Sequence, residues 1–255
     1  MYITTTLAET ASTASYRRPF SSAERDVTEK DAPHIFTILG GPSPWRQYLQ
    51  TNLTSYRSYL PPKPMQICDD REFASSYRRI FGEAPPADAQ GFVDRRNGTM
   101  VLKEFPARNY GKTKAALALH EAVHLFSHPP GKSNALRATS YELLGQGLIE
   151  GLTQMITDDI LTEQTFSPLR EEWQAYKSFT PVARKFVEAF SLRLVAEAFF
   201  YGMLDPLNRA IRFKWGPDGF ANVRQLTTNK QKDVALRLIK RLNEPRIIHQ
   251  QQVFR

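Results

Sequence analysis

Two histidines four residues apart enclose a glutamate in the run His120-Glu121-Ala122-Val123-His124. On a helix, positions i and i+4 project from one face a turn apart, so both imidazoles can bind one metal ion. Glu121 stands beside them and can reach a metal-bound water without being a ligand, an arrangement suited to metal-assisted hydrolysis with a carboxylate base. The chain has only five histidines. A chance match at this composition has a probability of roughly 0.6%, so the pattern is read as functional. The bland alternative, two polar-face histidines, is opposed by the neighbours. Ala115, Ala116, Leu117, Ala118 and Leu119 precede the run and Leu125 and Phe126 follow it. Such a helix is largely buried, and two buried histidines and a buried glutamate need partners.

A catalytic zinc usually takes three protein ligands and a water. His128 lies only four residues beyond His124, but Pro129 and Pro130 follow it, so it reads as a helix-terminal or outer residue. The next helical segment offers Glu142 and Glu150. Glu142 falls near the helix start, where a carboxylate serves the helix dipole. Glu150 is favoured as third ligand because Leu148, Ile149 and Leu152 surround it with apolar sequence, and a buried carboxylate needs a cation. Gly147 and Gly151 would let the ligand-bearing helices approach closely.

These residues need a scaffold, and the pattern supplies an α+β one. Met65 to Cys68 fits a short buried strand, and Asp69 or Asp70 can cap a helix containing Phe73, Tyr77, Ile80 and Phe81. Residues 91–94 and 99–103 read as a hairpin turned at Asn97-Gly98. An amphipathic helix then runs from Tyr110 to His128 and carries the histidine pair. Upstream, the apolar run Ile35 to Leu39 stops at Gly40-Gly41-Pro42, and helical spacing covers about 44 to 60. Downstream the pattern is helical, over about 138–161, 169–177, 181–201, 204–213 and 228–243, with prolines and Gly216-Pro217 between segments. The expected organisation is a Ser/Thr-rich flexible leader over 1–33, one domain over 34–243 with its core at 65–162, and a basic tail over 244–255.

The 255 residues are 41% hydrophobic and 24% charged, which excludes a fully disordered chain. The single cysteine, Cys68, permits no intrachain disulfide. The net charge of +8 invites a nucleic-acid or anionic-surface reading. That charge is concentrated at the C-terminal end: residues 221–255 hold eight basic and two acidic side chains. A solvated basic end is the preferred account, because no aromatic ladder or Gly-rich RNA motif accompanies it. No run is long and apolar enough to span a membrane. The first twenty residues lack the basic and apolar regions of a secretory signal. The expected location is therefore cytoplasmic, with export, if any, through a specialised secretion device.

On these residues the chain resembles the gluzincin metallopeptidases, including the compact bacterial minigluzincins and metallopeptidase toxin domains. The resemblance rests on His120-Glu121-Ala122-Val123-His124, on Glu150-Gly151 in the following helix, and on the strand, helix and hairpin at 65–103. It covers about 65–162, or to 201 with a supporting helix. It implies a zincin-like fold, a zinc ion held by His120, His124 and Glu150, and Glu121 as general base in the hydrolysis of a peptide or protein substrate. Strand 99–103 would be the edge on which an extended peptide lies by β-augmentation. Many gluzincins carry an acidic residue four positions after the ligand glutamate, orienting a histidine; here Gln154 stands there, and its amide oxygen can still accept an imidazole N–H. Tyr201 and Tyr141 are candidates for stabilising the oxyanion, although packing alone accounts for such tyrosines. A non-enzymatic reading remains beside this one: a zincin-like binding protein using its basic C-terminal segment on an acidic partner or nucleic acid. The intact Glu121 favours the enzyme.

Overall fold

The computed structural model describes residues 28–56, 58–87, 89–104, 114–127, 143–163, 179–229 and 231–244. The expectations for Tyr141, Glu142, His128, the segment 169–177 and the tail from 245 lie outside these residues, as does the leader as far as 27. Residues 28–33, which the sequence assigned to the leader, are already part of the fold. A 3-10 turn at Glu29–Asp31 leads directly into α1 (Ala32–Leu39), whose Ala32 is fully buried. Pro33 suits the first helical turn, where its missing N–H costs nothing. The apolar run Ile35 to Leu39 belongs to this helix, with Ile35, Ile38 and Leu39 buried and Thr37 exposed. Next comes α2 (Arg46–Tyr56), shorter at both ends than the spacing suggests.

Three strands make the sheet: β1 (Met65–Cys68), β2 (Gly91–Asp94) and β3 (Thr99–Lys103). Between β1 and β2, α3 (Asp70–Phe81) begins at Asp69, whose carboxylate accepts the Glu72 N–H at 2.8 Å, and ends at a left-handed Gly82. The β2–β3 turn is held by Asp94, which accepts from the backbone N–H of Arg96 and from the side-chain amide of Asn97. The strand order is β1-β3-β2, with β1 parallel and β2 antiparallel to β3. This overturns the expected role of strand 99–103 as a peptide-binding edge. Its backbone is paired on both sides, Val101 lying between Gln66 and Phe92, so no free ladder is left for a substrate. The hairpin alone could not reveal this, because the third strand comes from 30 residues upstream.

Alternation along β3 sends Met100 and Leu102 into the main core and Val101 into a smaller cluster with Phe73, Phe92 and Cys68 beneath α3. Against the main-core side lies α4 (Lys114–Leu125), which also touches α1 and α5 (Gln146–Glu163). Every described residue of α4 from Ala115 onward is buried, as the apolar sequence around the histidines requires.

The C-terminal half comprises α6 (Thr180–Phe190), α7 (Leu192–Tyr201), α8 (Leu204–Thr228) and α9 (Lys232–Asn243). Two expectations change here. The single helix over 181–201 is two helices, broken where Ser191 adopts φ 69° and its hydroxyl caps α7 by accepting the Leu194 N–H. Conversely, helix continues past 213: Gly216, at φ 74°, kinks α8, and Pro217 opens a second helical stretch running to Thr228. Pro after Gly marks a helix start as readily as a stop. The result is a mixed α+β fold, mostly helical, whose main core runs from Ala32 to Ile239. Among the described residues no helix is long and apolar enough to cross a membrane.

Candidate metal centre

Helix periodicity puts His120 and His124 on one face of α4, their ring centroids 4.9 Å apart and their planes at 78°. Glu150, near the start of α5, meets both. Its Oε2 lies 3.3 Å from His120 Nε2 and 3.1 Å from His124 Nε2. One potential ligand atom from each residue falls within 4.8 Å of the others, a spacing that could hold a metal ion. Two imidazole nitrogens and a carboxylate oxygen form a donor set that zinc accepts, leaving a fourth position for water. Both histidines are at least nine-tenths buried, and the Glu150 side chain retains only 13% exposure.

The glycines flanking Glu150 act differently from the expectation. A Cβ on Gly147 would lie 2.3 Å from the Thr227 carbonyl oxygen, and one on Gly151 would lie 2.9 Å from Phe179. They therefore admit α8 and the start of α6 to the back of α5, rather than bringing α4 to its front.

Glu121 is buried beside the pair. It faces β2, where a Cβ on Gly91 would lie 2.8 Å from Glu121 Oε1. The sequence did not single out Gly91, since a glycine opening a strand has no distinguishing local mark. Arg95 was also missed. From the hairpin turn its guanidinium donates to the His124 carbonyl oxygen at 2.5 Å and to Ser127 Oγ at 2.7 Å. It thereby places a cation at the C-terminal end of α4, where the helix dipole favours one.

An outer contact addresses the His124 ring. Thr153 Oγ1 donates its one hydrogen to the Ile149 carbonyl oxygen, so towards His124 Nδ1, 3.4 Å away, it can only accept. That leaves His124 Nε2 unprotonated on the metal side. Gln154, expected to support a histidine, is fully buried, and its amide donates to Asp158 Oδ1 at 2.9 Å. Tyr201 packs its ring on Tyr48 at 5.8 Å. Among the described residues, this packing is the aromatic contact found for it.

Burial and charge set the protonation of the cluster. For His120, burial opposes the proton, but the hydrogen bond to Glu150 and the charges of Glu121 and Glu150 outweigh it and raise the pKa. For His124 burial dominates over the attraction of Glu150 and pushes the pKa down to about 4. Burial would raise Glu150, yet the two imidazoles set against its carboxylate, His124 foremost, hold it below the usual carboxylate range. Near neutral pH the cluster thus joins an ionised carboxylate to a neutral His124 and a His120 that favours its proton. Comparison of the chain with protein-family models, curated proteins and solved structures found no match.

Proposed function

We propose that this chain is a zinc-dependent peptidase of the gluzincin type, with His120, His124 and Glu150 as ligands and Glu121 as general base. The observation that carries the reading is the convergence of one Glu150 carboxylate oxygen on two Nε2 atoms from successive turns of α4. A binding protein would need the ligands but has no use for a buried carboxylate beside them, and Glu121 is 6% exposed.

Zinc held by these three side chains would polarise a scissile carbonyl and bring the pKa of a water towards 7. Glu121 would take the proton of the attacking water and deliver it to the departing amine. Gly91 leaves room for that carboxylate, and as the partly exposed end of an edge strand it offers its backbone to an arriving peptide. Arg95 and Thr153 hold His124 from its carbonyl and from its ring.

Metal analysis of the purified protein tests the first half: about one zinc per chain is expected, strongly reduced in His120→Ala. Absence of bound zinc in a wild-type protein offered the metal would sink the assignment. The chemistry is tested by a peptide-library cleavage screen of wild type against Glu121→Gln. Loss of at least about 100-fold in the variant is expected. Equal cleavage by both would remove Glu121 from the mechanism, and cleavage by neither would favour the zinc-binding, non-enzymatic alternative.

A further inference from the structure

We propose that the outward face of α8, centred on Phe213, docks on an anionic phospholipid surface. The first half of this helix carries two apolar stripes. Leu204, Leu207, Ile211 and Trp215 are buried and form the stripe that packs into the core. Met203, Pro206, Ala210 and Phe213 recur at intervals of three and four residues on the other side, Phe213 lying about 200° around the helix from both Ile211 and Trp215. Pro206 and Ala210 are half-buried, but Met203 is 48% exposed and Phe213 95%. The two large side chains of the second stripe therefore stand in solvent.

Charge and area identify what belongs there. Arg209 and Arg212 are exposed beside Phe213, and among the described residues no carboxylate pairs with either. Trp215 Nε1 donates to Asn243 Oδ1 at 3.0 Å, which brings the last turn of α9, with exposed Lys240 and Arg241, to the same end of this half-helix. Lys214 is turned away, donating to the Ala189 carbonyl oxygen at 3.0 Å. A second copy of the chain would set these cations against their like, and residues 245–255 would bring two more arginines and no acid. A folded protein partner needs roughly 800 Å² on each side, whereas one phenylalanine and half a methionine offer roughly 300 Å². Single-stranded nucleic acid stacks on successive rings. Yet the other exposed aromatics stand with the sheet, Tyr59 against the β2–β3 turn and Phe81 at the end of α3. A bilayer demands neither area nor a second ring. Phe213 enters at the boundary of headgroups and acyl chains, and the long stems of Arg209 and Arg212 let their guanidinium groups stay with the phosphates.

Flotation of the full chain with vesicles of equal parts phosphatidylcholine and phosphatidylserine tests this. Binding is expected there and not on phosphatidylcholine alone, and it should weaken as salt rises. Phe213→Ala should lower the affinity about tenfold, and Arg209→Gln with Arg212→Gln about 30-fold, whereas Phe213→Leu should keep most of it. These side chains are exposed, so the variants should melt with the wild type. The metal centre plays no part, so zinc-free protein should float equally well. Phe213→Trp reports position: its added emission should be open to acrylamide in buffer and shielded on anionic vesicles. No flotation with anionic vesicles, or binding that Phe213→Ala leaves unchanged, would overturn the proposal. So would an added tryptophan already shielded in buffer, because the tail or a second copy would then cover the ring. An oligothymidylate that displaces the protein from vesicles, and whose binding Phe213→Ala abolishes, would overturn it in favour of nucleic acid.

Discussion

Gly91 of β2 lies so close to Glu121 of α4 that a single added methyl group would stand 2.8 Å from Oε1 and 2.9 Å from Cγ of the carboxylate. Carbon atoms do not approach that closely, so Gly91→Ala must displace the Glu121 side chain or push β2 off α4. The three atoms nearest that methyl group all belong to Glu121, and none to His120, His124 or Glu150. Zinc affinity should therefore stay within about threefold of wild type while peptide turnover falls by up to about 100-fold, the cost of a base misplaced by about 1 Å. Steady-state kinetics beside a zinc competition assay checks both. A parallel loss of metal would show that Gly91 supports the ligands instead of the base.

Protons should leave the site when metal enters. His120 has its pKa raised above 6.5, so at pH 6.5 it is more than half protonated, whereas His124, near 4, is already neutral. Zinc uptake at that pH should release more than about half a proton per chain, nearly all of it from His120. Release should shrink as pH rises through the His120 value, and zinc affinity should weaken on acidification below it. Calorimetric titrations in buffers of differing ionisation enthalpy give the count directly. A count near zero at pH 6.5 would contradict the raised His120.

Bound metal should also stabilise the fold, because its three ligands come from two helices whose arrangement the unfolded chain lacks. Free zinc at a hundred times its dissociation constant adds about 2.7 kcal/mol. For a chain of this size that raises the melting temperature by about 5–10 °C. Chelator should reverse the gain, and Glu150→Ala should lose most of it, since two imidazoles alone hold zinc weakly. Scanning calorimetry with and without zinc measures each case.

Much of this centre was legible because the signals are local. The His120–His124 spacing, the apolar flanks of α4 and the Asp69 cap are each fixed by residues within about a turn of one another. Glu150 could be preferred from its apolar neighbours, and Gln154 from its distance to Glu150. What stayed hidden depends on partners far along the chain. Pairing of β1 with β3 joins residues some 35 apart, so the central place of β3 could not be read from the hairpin. Arg95 reaches His124 across the sheet edge, and nothing in Arg95-Arg96 distinguishes the buried-facing guanidinium from its exposed neighbour. The same limit applies to the glycines of α5. Small residues announced a close approach, but only the fold reveals that Thr227 and Phe179 are what approach.

Asn52 gives the sharpest case of a long-range device, and its removal should be costly. It is 2% exposed, and its side-chain amide donates to two backbone carbonyls, Phe126 at 2.6 Å and Phe200 at 2.8 Å. Phe126 stands two residues beyond His124, so α2 pins the end of α4 and ties it to α7. Asn52→Ala strands both carbonyls in a site with little water, which should lower stability by about 2–4 kcal/mol. Asn52→Asp tests whether donation is the cause. An ionised carboxylate there has the size of the amide but no hydrogen to give, and it would face two carbonyl oxygens. It should therefore destabilise at least as much as alanine despite filling the space. Urea unfolding at pH 7 measures both variants, and a milder loss in Asn52→Asp would show that volume, not hydrogen bonding, is what Asn52 contributes.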